Sequence, residues 1–445
     1  MRGLFVDRDA VLEVLERELS EPGFRVVIIY GRRRVGKTWL ATVLLQRVRG
    51  QYVFVPEGDE GTLLRWVASK LSGVCGDINS DSWEGLTKGL TSCASRLGGL
   101  VLVIDEFQRL GKGFASHLQA LIDAYPDAPL KLVLLGSAVS VIERLAGPLG
   151  PLYGRCVTVK LGGFGFLESY VYLREKVGAS VHDAFRLYAL FGGTPYNLAL
   201  TESTDYLLEA LKHIHSRYGR LYEEPLHLLA SETRELGVYV SILAAIASGK
   251  NSFSRLAQVV RRTSLIKYLE VLRGLGLVKR VVPAGENPLR TKKAKYLITD
   301  PFWDYWFKAI YPRRDEAEVT GQVRVDNELL RNHLAHWFEE VARELLSKTL
   351  KSPVKPWWSK ETEVDAVALT GEGAMLYEVK YAKVDERTAE RELRRLKAKA
   401  QLLPYPIIKT GIVAREVIGN PRDTVTLEQL VEQALRVSKV SVAHI

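Results

Sequence analysis

Eight residues, Gly31 to Thr38 (GRRRVGKT), fit the spacing G-x-x-x-x-G-K-[ST], and their flanks restrict the surrounding fold severely. Before them runs FRVVIIY, Phe24 to Tyr30, an apolar segment that reads as a buried parallel strand. After them, WLATVLLQRVRG has the apolar spacing of a helix and ends at a glycine. A strand, a glycine loop and a helix in this order make a phosphate cradle: backbone N–H groups wrap the β-phosphate and the helix start adds positive potential. The expected nucleotide-binding residues are Gly31, Arg32, Arg33, Arg34, Val35, Gly36, Lys37, Thr38 and Trp39. Lys37 is placed to reach the β- and γ-phosphates, and Thr38 to offer its hydroxyl to Mg²⁺.

A nucleotide loop needs a carboxylate for the metal and a group that orients water. GGLVLVIDEF, Gly98 to Phe107, ends an apolar strand on two acids. Asp105 is expected to hold Mg²⁺ through water and Glu106 to polarise the attacking water. LKLVLLGSAVSVIERL gives a further strand that ends at Gly136 and Ser137. Ser137 suits a γ-phosphate sensor, and equally a helix cap. Arg155, in the turn PLYGR, suits an arginine finger, in cis or from a neighbouring copy, or a solvated surface arginine.

FVDRDAVLEVLERE, YGRRRVGKTWL, VLVIDEFQRL, LLGSAVSVIE, PLYGR and FGGTPYNL appear in the order found in archaeal AAA+-type ATPases. The chain resembles that group, which is related to the signal-transducing STAND ATPases, along essentially its whole length. The resemblance implies ATP and Mg²⁺ as cofactors, a helical lid at Gly192-Gly193-x-Pro195, and Asp7 and Arg8 near the adenine. It also implies a homo-oligomer or an ATP-dependent assembly.

With 445 residues the chain has room for about three domains. No apolar run approaches a membrane span, and MRGLFVDRD has no signal-peptide core, so a cytoplasmic location is expected. Cys75, Cys93 and Cys156 are far apart, odd in number and without a CxxC, which suggests reduced thiols and neither a disulfide nor a zinc site. A net charge of +10 points to a polyanionic partner, and the charge-rich, Met-poor composition fits a thermophile.

From Tyr222 to Asp300 three helical segments precede two strands around a Pro/Gly/Lys-rich loop, the order of a winged helix-turn-helix. Arg261, Arg262 and Lys267 lie near the start of its third helix, and Arg290, Lys292, Lys293 and Lys295 on the wing. The alternatives are DNA contact and intramolecular packing. The aromatic run Pro301 to Pro312 reads as a packed helix, and Arg313 to Asn327 as an irregular linker.

The last segment holds ETEVDAVALTGEGAMLYEVKYA, a hairpin. If its turn centres between Gly371 and Glu372, Asp365 faces Glu378, with Lys380 on the same face. Facing carboxylates need a neutralising charge, and Mg²⁺ suits them. Glu339, on an upstream amphipathic helix, is a third candidate ligand, and a basic helix follows from Glu386 to Leu403. This order resembles the PD-(D/E)XK nuclease fold, in which Lys380 acts on the water or the scissile phosphate. Many such domains bind without cutting, and both outcomes stay open.

The expected architecture is a multidomain α/β chain. It comprises a parallel-sheet P-loop core (1–162), a helical lid (163–230), a winged helix-turn-helix with the aromatic helix (231–312), a linker (313–328) and a restriction-endonuclease-like α/β domain (329–445).

Overall fold

A computed structural model describes residues 4–6, 8–260, 262–438, 440 and 442–444. The chain divides into two compact units, Met1–Gly162 with Ala443–Ile445, and Gly163–Val442. The first unit runs through α1 (Asp9–Ser20), β1 (Arg25–Tyr30), α2 (Lys37–Arg47), β2 (Gln51–Phe54), α3 (Glu60–Cys75) and α4 (Trp83–Leu97). It continues through β3 (Leu100–Asp105), α5 (Gly111–Ala124), β4 (Leu130–Gly136), α6 (Val139–Ala146) and β5 (Val157–Lys160).

These five strands form one parallel sheet in the order β2-β3-β4-β1-β5. Alternate residues of β1 enter different cores: Val26 and Ile28 pack with Leu102 and Leu132, Val27 and Ile29 with Leu40, Leu44 and Val133. Helices cover both faces, which is why FRVVIIY shows no polar alternation. Tyr30 pairs with Gly136 and Lys160, and Phe54 with Asp105, so the carboxyl ends of the strands share one edge. The loops after β1, β3 and β4 leave from that edge, where open parallel sheets bind ligands.

One expectation fails in this unit. Cys75 and Cys93 form a disulfide, and Cys156 alone is free. Both paired sulfurs lie in the core where the end of α3 meets the last turns of α4. A linear spacing of 18 residues does not reveal that meeting.

The second unit opens with α7 (Phe166–Val177) and α8 (Val181–Phe191). Gly192 follows at φ +70°, and a Cβ there would lie 2.2 Å from an Asp300 carboxylate oxygen, so the turn requires glycine. After the helices Pro195–Leu200, Tyr206–Ala210 and Glu224–Glu232 come α9 (Leu236–Ala247), α10 (Phe253–Leu256), α11 (Arg262–Gly274) and an antiparallel pair, β6 (Val278–Val281) and β7 (Lys295–Ile298). The aromatic run is core: Phe302, Trp303, Tyr305, Trp306 and Phe307 are buried. The segment expected to be irregular instead forms the helix Arg314–Thr320, seated by buried Ala317 and followed by buried Val323. Two apolar residues six apart are too few to show a helical period in the sequence.

The long helix α12 (Asn327–Leu350) is capped by Asp326 and leads into β8 (Val354–Trp358), β9 (Glu363–Leu369), β10 (Ala374–Val384), α13 (Glu386–Ala400), β11 (Ile407–Val417), β12 (Thr424–Thr426) and α14 (Leu427–Val437). The sheet order is β12-β11-β10-β9-β8, with β8, β9 and β10 antiparallel and β10, β11 and β12 parallel. Phe185 of α8, Phe338 of α12 and Tyr381 of β10 meet with ring centroids 5.4 Å apart, which joins the front of this unit to its sheet. No helix among the described residues is long and apolar enough to cross a membrane.

Candidate functional site

The Gly31–Thr38 loop uses its two glycines for different reasons. A Cβ on Gly31 would sit 2.1 Å from the Leu161 carbonyl, whereas Gly36 has open space but a φ of +95°. Val35 points into the core with Leu40 and Leu44 and anchors the loop from beneath. Its side chain is therefore not available to a nucleotide. Arg33, Arg34 and Trp39 are exposed, and Arg32 is half-buried. Lys37 is buried, and its ammonium donates to the Gly31 and Arg32 carbonyls at 2.7 and 2.9 Å. The loop is thus curled around its own lysine.

Across β4, the acids of β3 face the loop. Thr38 donates its hydroxyl to Asp105 Oδ2 at 2.7 Å, and the Tyr52 hydroxyl donates to the same oxygen at 2.8 Å. The Glu106 N–H donates to Oδ1 at 2.9 Å. Burial, and then the Asp105 charge, push the Tyr52 phenol well above its ordinary range, so it stays a donor. Glu106 sits at φ +59°, a left-handed backbone that is uncommon for a non-glycine residue. Its Oε2 accepts from the Ser137 hydroxyl at 2.9 Å and from the Gln108 amide. Ser137 therefore meets the acid of the neighbouring strand directly. The hydroxyl and carboxylate of Thr38 and Asp105 are hard oxygen donors that suit Mg²⁺, and two O–H groups now supply the positive charge that Asp105 attracts.

Arg155 does not belong to this cluster. It forms a two-pronged ion pair with Asp123, at 2.9 Å on each oxygen. Val157, two residues on, pairs with Val27 near the amino end of β1, and Asp123 is one residue from the end of α5. This is the sheet edge opposite the phosphate loop, because a parallel strand separates its start from its end. A role for Arg155 on the phosphates of its own chain is thereby corrected. Arg8 donates to the Gly162 carbonyl at 2.7 Å, while Asp7 lies outside the described residues.

In the second unit, β9 and β10 pair Ala366 with Tyr377 and Leu369 with Ala374. One further step in that register sets Asp365 against Glu378. Asp365 Oδ2 accepts the Val379 N–H at 2.8 Å. Burial and then the Glu378 charge raise the Asp365 carboxyl to about 6. Burial and then Asp365 raise Glu339 to about 7, although its side chain stays 37 % exposed and solvent screens part of that penalty. Lys380 reaches Glu378 Oε1 at 2.7 Å, and Lys399 of α13 reaches Oε2 at 2.9 Å. Glu392 lies 3.7 Å from the Lys380 ammonium. Both Glu378 oxygens are thus neutralised by lysine, and among the described residues no three His, Cys, Asp or Glu side chains are arranged to hold a metal ion. The expected trio Glu339, Asp365 and Glu378 shares one electrostatic neighbourhood without forming a ready cage.

The basic residues of the central segment divide. Lys267, Arg290 and Lys292 are exposed. Lys293 pairs with Glu286 at 2.6 Å, and Lys295 lies 4.4 Å from the centre of the Trp358 ring. Arg261 lies outside the described residues, as does the Arg262 side chain. The root of the β6–β7 loop is packed inward: Ala284 joins the Trp357 and Leu376 core and takes the Pro356 carbonyl through its N–H at 2.9 Å.

Residues 23–145 match the AAA domain family, over the loop, both acids and Ser137. The chain is a P-loop ATPase. Residues 306–392 of the ATPase match a second family, described as archaea bacterial proteins of unknown function. An uncharacterized protein of Methanocaldococcus jannaschii is 29% identical over 426 residues, covering 90% of this chain and 92% of that protein. An uncharacterized ATP-binding protein of the same organism is 49% identical over 43 residues, which are 10% of this chain and 73% of that protein. Among solved structures, the Walker-type ATPase of Pyrococcus abyssi has a TM-score of 0.52 at 21% identity, covering 68% of this chain and 96% of that one, a likeness of fold.

Three site residues of the ATPase escape a linear reading: Tyr52, Gln108 and Lys399. Tyr52 reaches Asp105 across a strand pair and Lys399 reaches Glu378 from a helix, so neither has a spacing signal. Gln108 follows Glu106 by two residues in a short 3₁₀ turn that the motif does not specify.

Proposed function

We propose that this ATPase couples ATP hydrolysis to action on DNA, with a Mg²⁺-dependent nuclease-like centre in its C-terminal region. In the ATP site, Lys37 would contact the β- and γ-phosphates, and Thr38 and Asp105 would hold Mg²⁺, which neutralises phosphate charge when bound. Glu106 would take the proton of the attacking water, with its carboxylate oriented by Ser137 and Gln108. The β-hairpin carrying Asp365, Glu378 and Lys380 beside Glu339 is the observation that carries the second activity. Glu339 and Asp365 are raised although Arg343 stands 3.7 Å from Glu339, and a divalent cation is the usual neutraliser of such a pair. The α9–α11 helices with the β6–β7 wing support a winged-helix DNA contact through Lys267, Arg290 and Lys292. The test is metal-dependent cleavage of single-stranded, duplex and branched DNA with Mg²⁺ or Mn²⁺. Lys380→Ala is expected to abolish cutting and leave ATP hydrolysis intact; no cleavage of any substrate by the wild type refutes the nuclease.

A second reading, an ATP-driven switch that binds DNA or protein without cutting, is favoured by the lysines on both Glu378 oxygens. In that case Lys37→Ala removes ATP-dependent changes in DNA affinity or assembly, and no phosphodiester is broken. Light scattering with and without a non-hydrolysable nucleotide tests assembly, where Arg155 would serve the site of a neighbouring copy.

A further inference from the structure

Helix α13 has two unlike faces. Ala389, Leu393, Leu396 and Ala400 are buried and seat it on the sheet. Arg391, Arg394, Arg395 and Lys397 are exposed. A solvated helix face ordinarily mixes charges of both signs. Here, from Arg391 to Thr410, Glu392 is the only acid among six cations. Glu392 is itself buried, so the surface that remains is of one sign. Among the described residues, Arg394 and Lys397 have no carboxylate partner.

Glu392 acts from beneath this surface. Its Oε1 accepts from Arg391 Nε at 3.1 Å and from Arg395 Nη1 at 3.2 Å, and its Oε2 lies 3.7 Å from the Lys380 ammonium. Burial works to raise its carboxyl, but the Arg391 bond and the nearby cations outweigh it, so Glu392 is held below the ordinary carboxylate range. One buried carboxylate thus fixes two guanidiniums a turn apart, about 6 Å along the axis. Both side chains stay more than half exposed, at 55% and 66%. A single negative charge shared with Lys380 does not neutralise the two arginines. The pair therefore keeps positive charge toward solvent, and a guanidinium already held in place loses little freedom on meeting a phosphate.

We propose that the outer face of α13 is a docking surface for the DNA backbone, on which the Arg391–Arg395 pair, held by Glu392, seats a phosphate strand beside Lys380. This rests on the reading that the chain acts on DNA, and the experiment separates the two. Binding of a fluorescently labelled duplex to the full chain is followed by anisotropy over a series of salt concentrations, in EDTA so that no strand is cut. Wild type is compared with Arg391→Ala plus Arg395→Ala, and with Arg391→Lys plus Arg395→Lys. Wild-type affinity is expected to fall steeply with salt. With two phosphate contacts gone, a fourfold rise in salt is expected to cost the alanine pair roughly tenfold less affinity than it costs wild type. The lysine pair keeps both charges and is expected to keep the wild-type salt dependence. An unaltered salt dependence in the alanine pair overturns the role of α13 and leaves DNA binding elsewhere on the chain standing. A wild type that binds no duplex overturns both. A lysine pair that behaves as the alanine pair also overturns the proposal, because the loss would then follow the Glu392 contacts and not charge on phosphate. If the alanine pair melts early, Arg394→Ala plus Lys397→Ala, which breaks no ion pair, takes its place with the same outcomes.

Discussion

Asp365→Asn offers a test in which stability and function move in opposite directions. In the folded chain the Asp365 carboxyl titrates at about 6, against 3.8 for the free side chain. Between those values the folded state holds a proton that the unfolded state has released, so stability falls as pH rises through this window and stays reduced above it. At about 1.4 kcal/mol per pH unit, a gap of 2.2 amounts to about 3 kcal/mol, and partial exposure brings this nearer 2. Asparagine keeps an oxygen for the Val379 N–H and carries no charge to bury. The variant is therefore expected to match wild type near pH 4 and to exceed it by about 2–3 kcal/mol at pH 8. Denaturant unfolding of the full chain at pH 4, 6 and 8 measures this difference. Mg²⁺ at pH 8 is expected to stabilise wild type and not the variant, since a cation that binds only the folded form adds to its stability. A difference that is flat with pH, or a variant weaker at pH 8, refutes the reasoning. A gain in stability with loss of metal response would mark a carboxylate retained for function.

Replacing Cys75 and Cys93 by serine opens an 18-residue spacing and is expected to destabilise the first unit by about 3 kcal/mol; wild-type unfolding that is indifferent to reductant would contradict this. Arg155→Ala, which removes an exposed ion pair, should leave ATP hydrolysis in dilute protein unchanged, and a loss there would return Arg155 to its own chain's phosphates. If the wing tip meets DNA, Arg290→Ala with Lys292→Ala should flatten the salt dependence of affinity by about two contacts, at roughly 0.9 each. An unaltered slope would leave the wing to intramolecular packing.

The nucleotide half was legible because its determinants are local. The Gly31–Thr38 loop, its strand and its helix are contiguous, and the Asp105–Glu106 step ends a run of apolar residues. Ser137 was legible as a position, but its bond to Glu106 comes from strand order, which no periodicity encodes. Arg155 shows the limit: a turn arginine has no sign of which sheet edge it occupies. The disulfide was hidden for the same reason, being a helix–helix encounter. In the second unit, counting along an alternating hairpin gave the register that pairs Ala366 with Tyr377, because a tight turn leaves one arrangement. The counter-charge that Lys399 brings to Glu378 comes from a separate helix, so no spacing in the sequence announces it. The contact of Lys295 with Trp358 was not legible because the two are distant in the chain.

Helix α12 has a mechanical consequence. Its 24 residues make a strut about 36 Å long. Glu344 on it accepts the N–H of Phe166 at the start of α7, Lys348 holds Glu168, and His333 meets the Ala189 carbonyl of α8. The same strut carries Glu339, and Arg343, which donates to the Asp365 carbonyl at 2.6 Å. Handles for the front helices (His333, Glu344 and Lys348) and for the acid hairpin (Glu339 and Arg343) therefore lie within about four turns of one helix. A tilt of α7 or α8 that moves α12 as a unit is thereby passed to the backbone of Asp365, which aims its carboxylate.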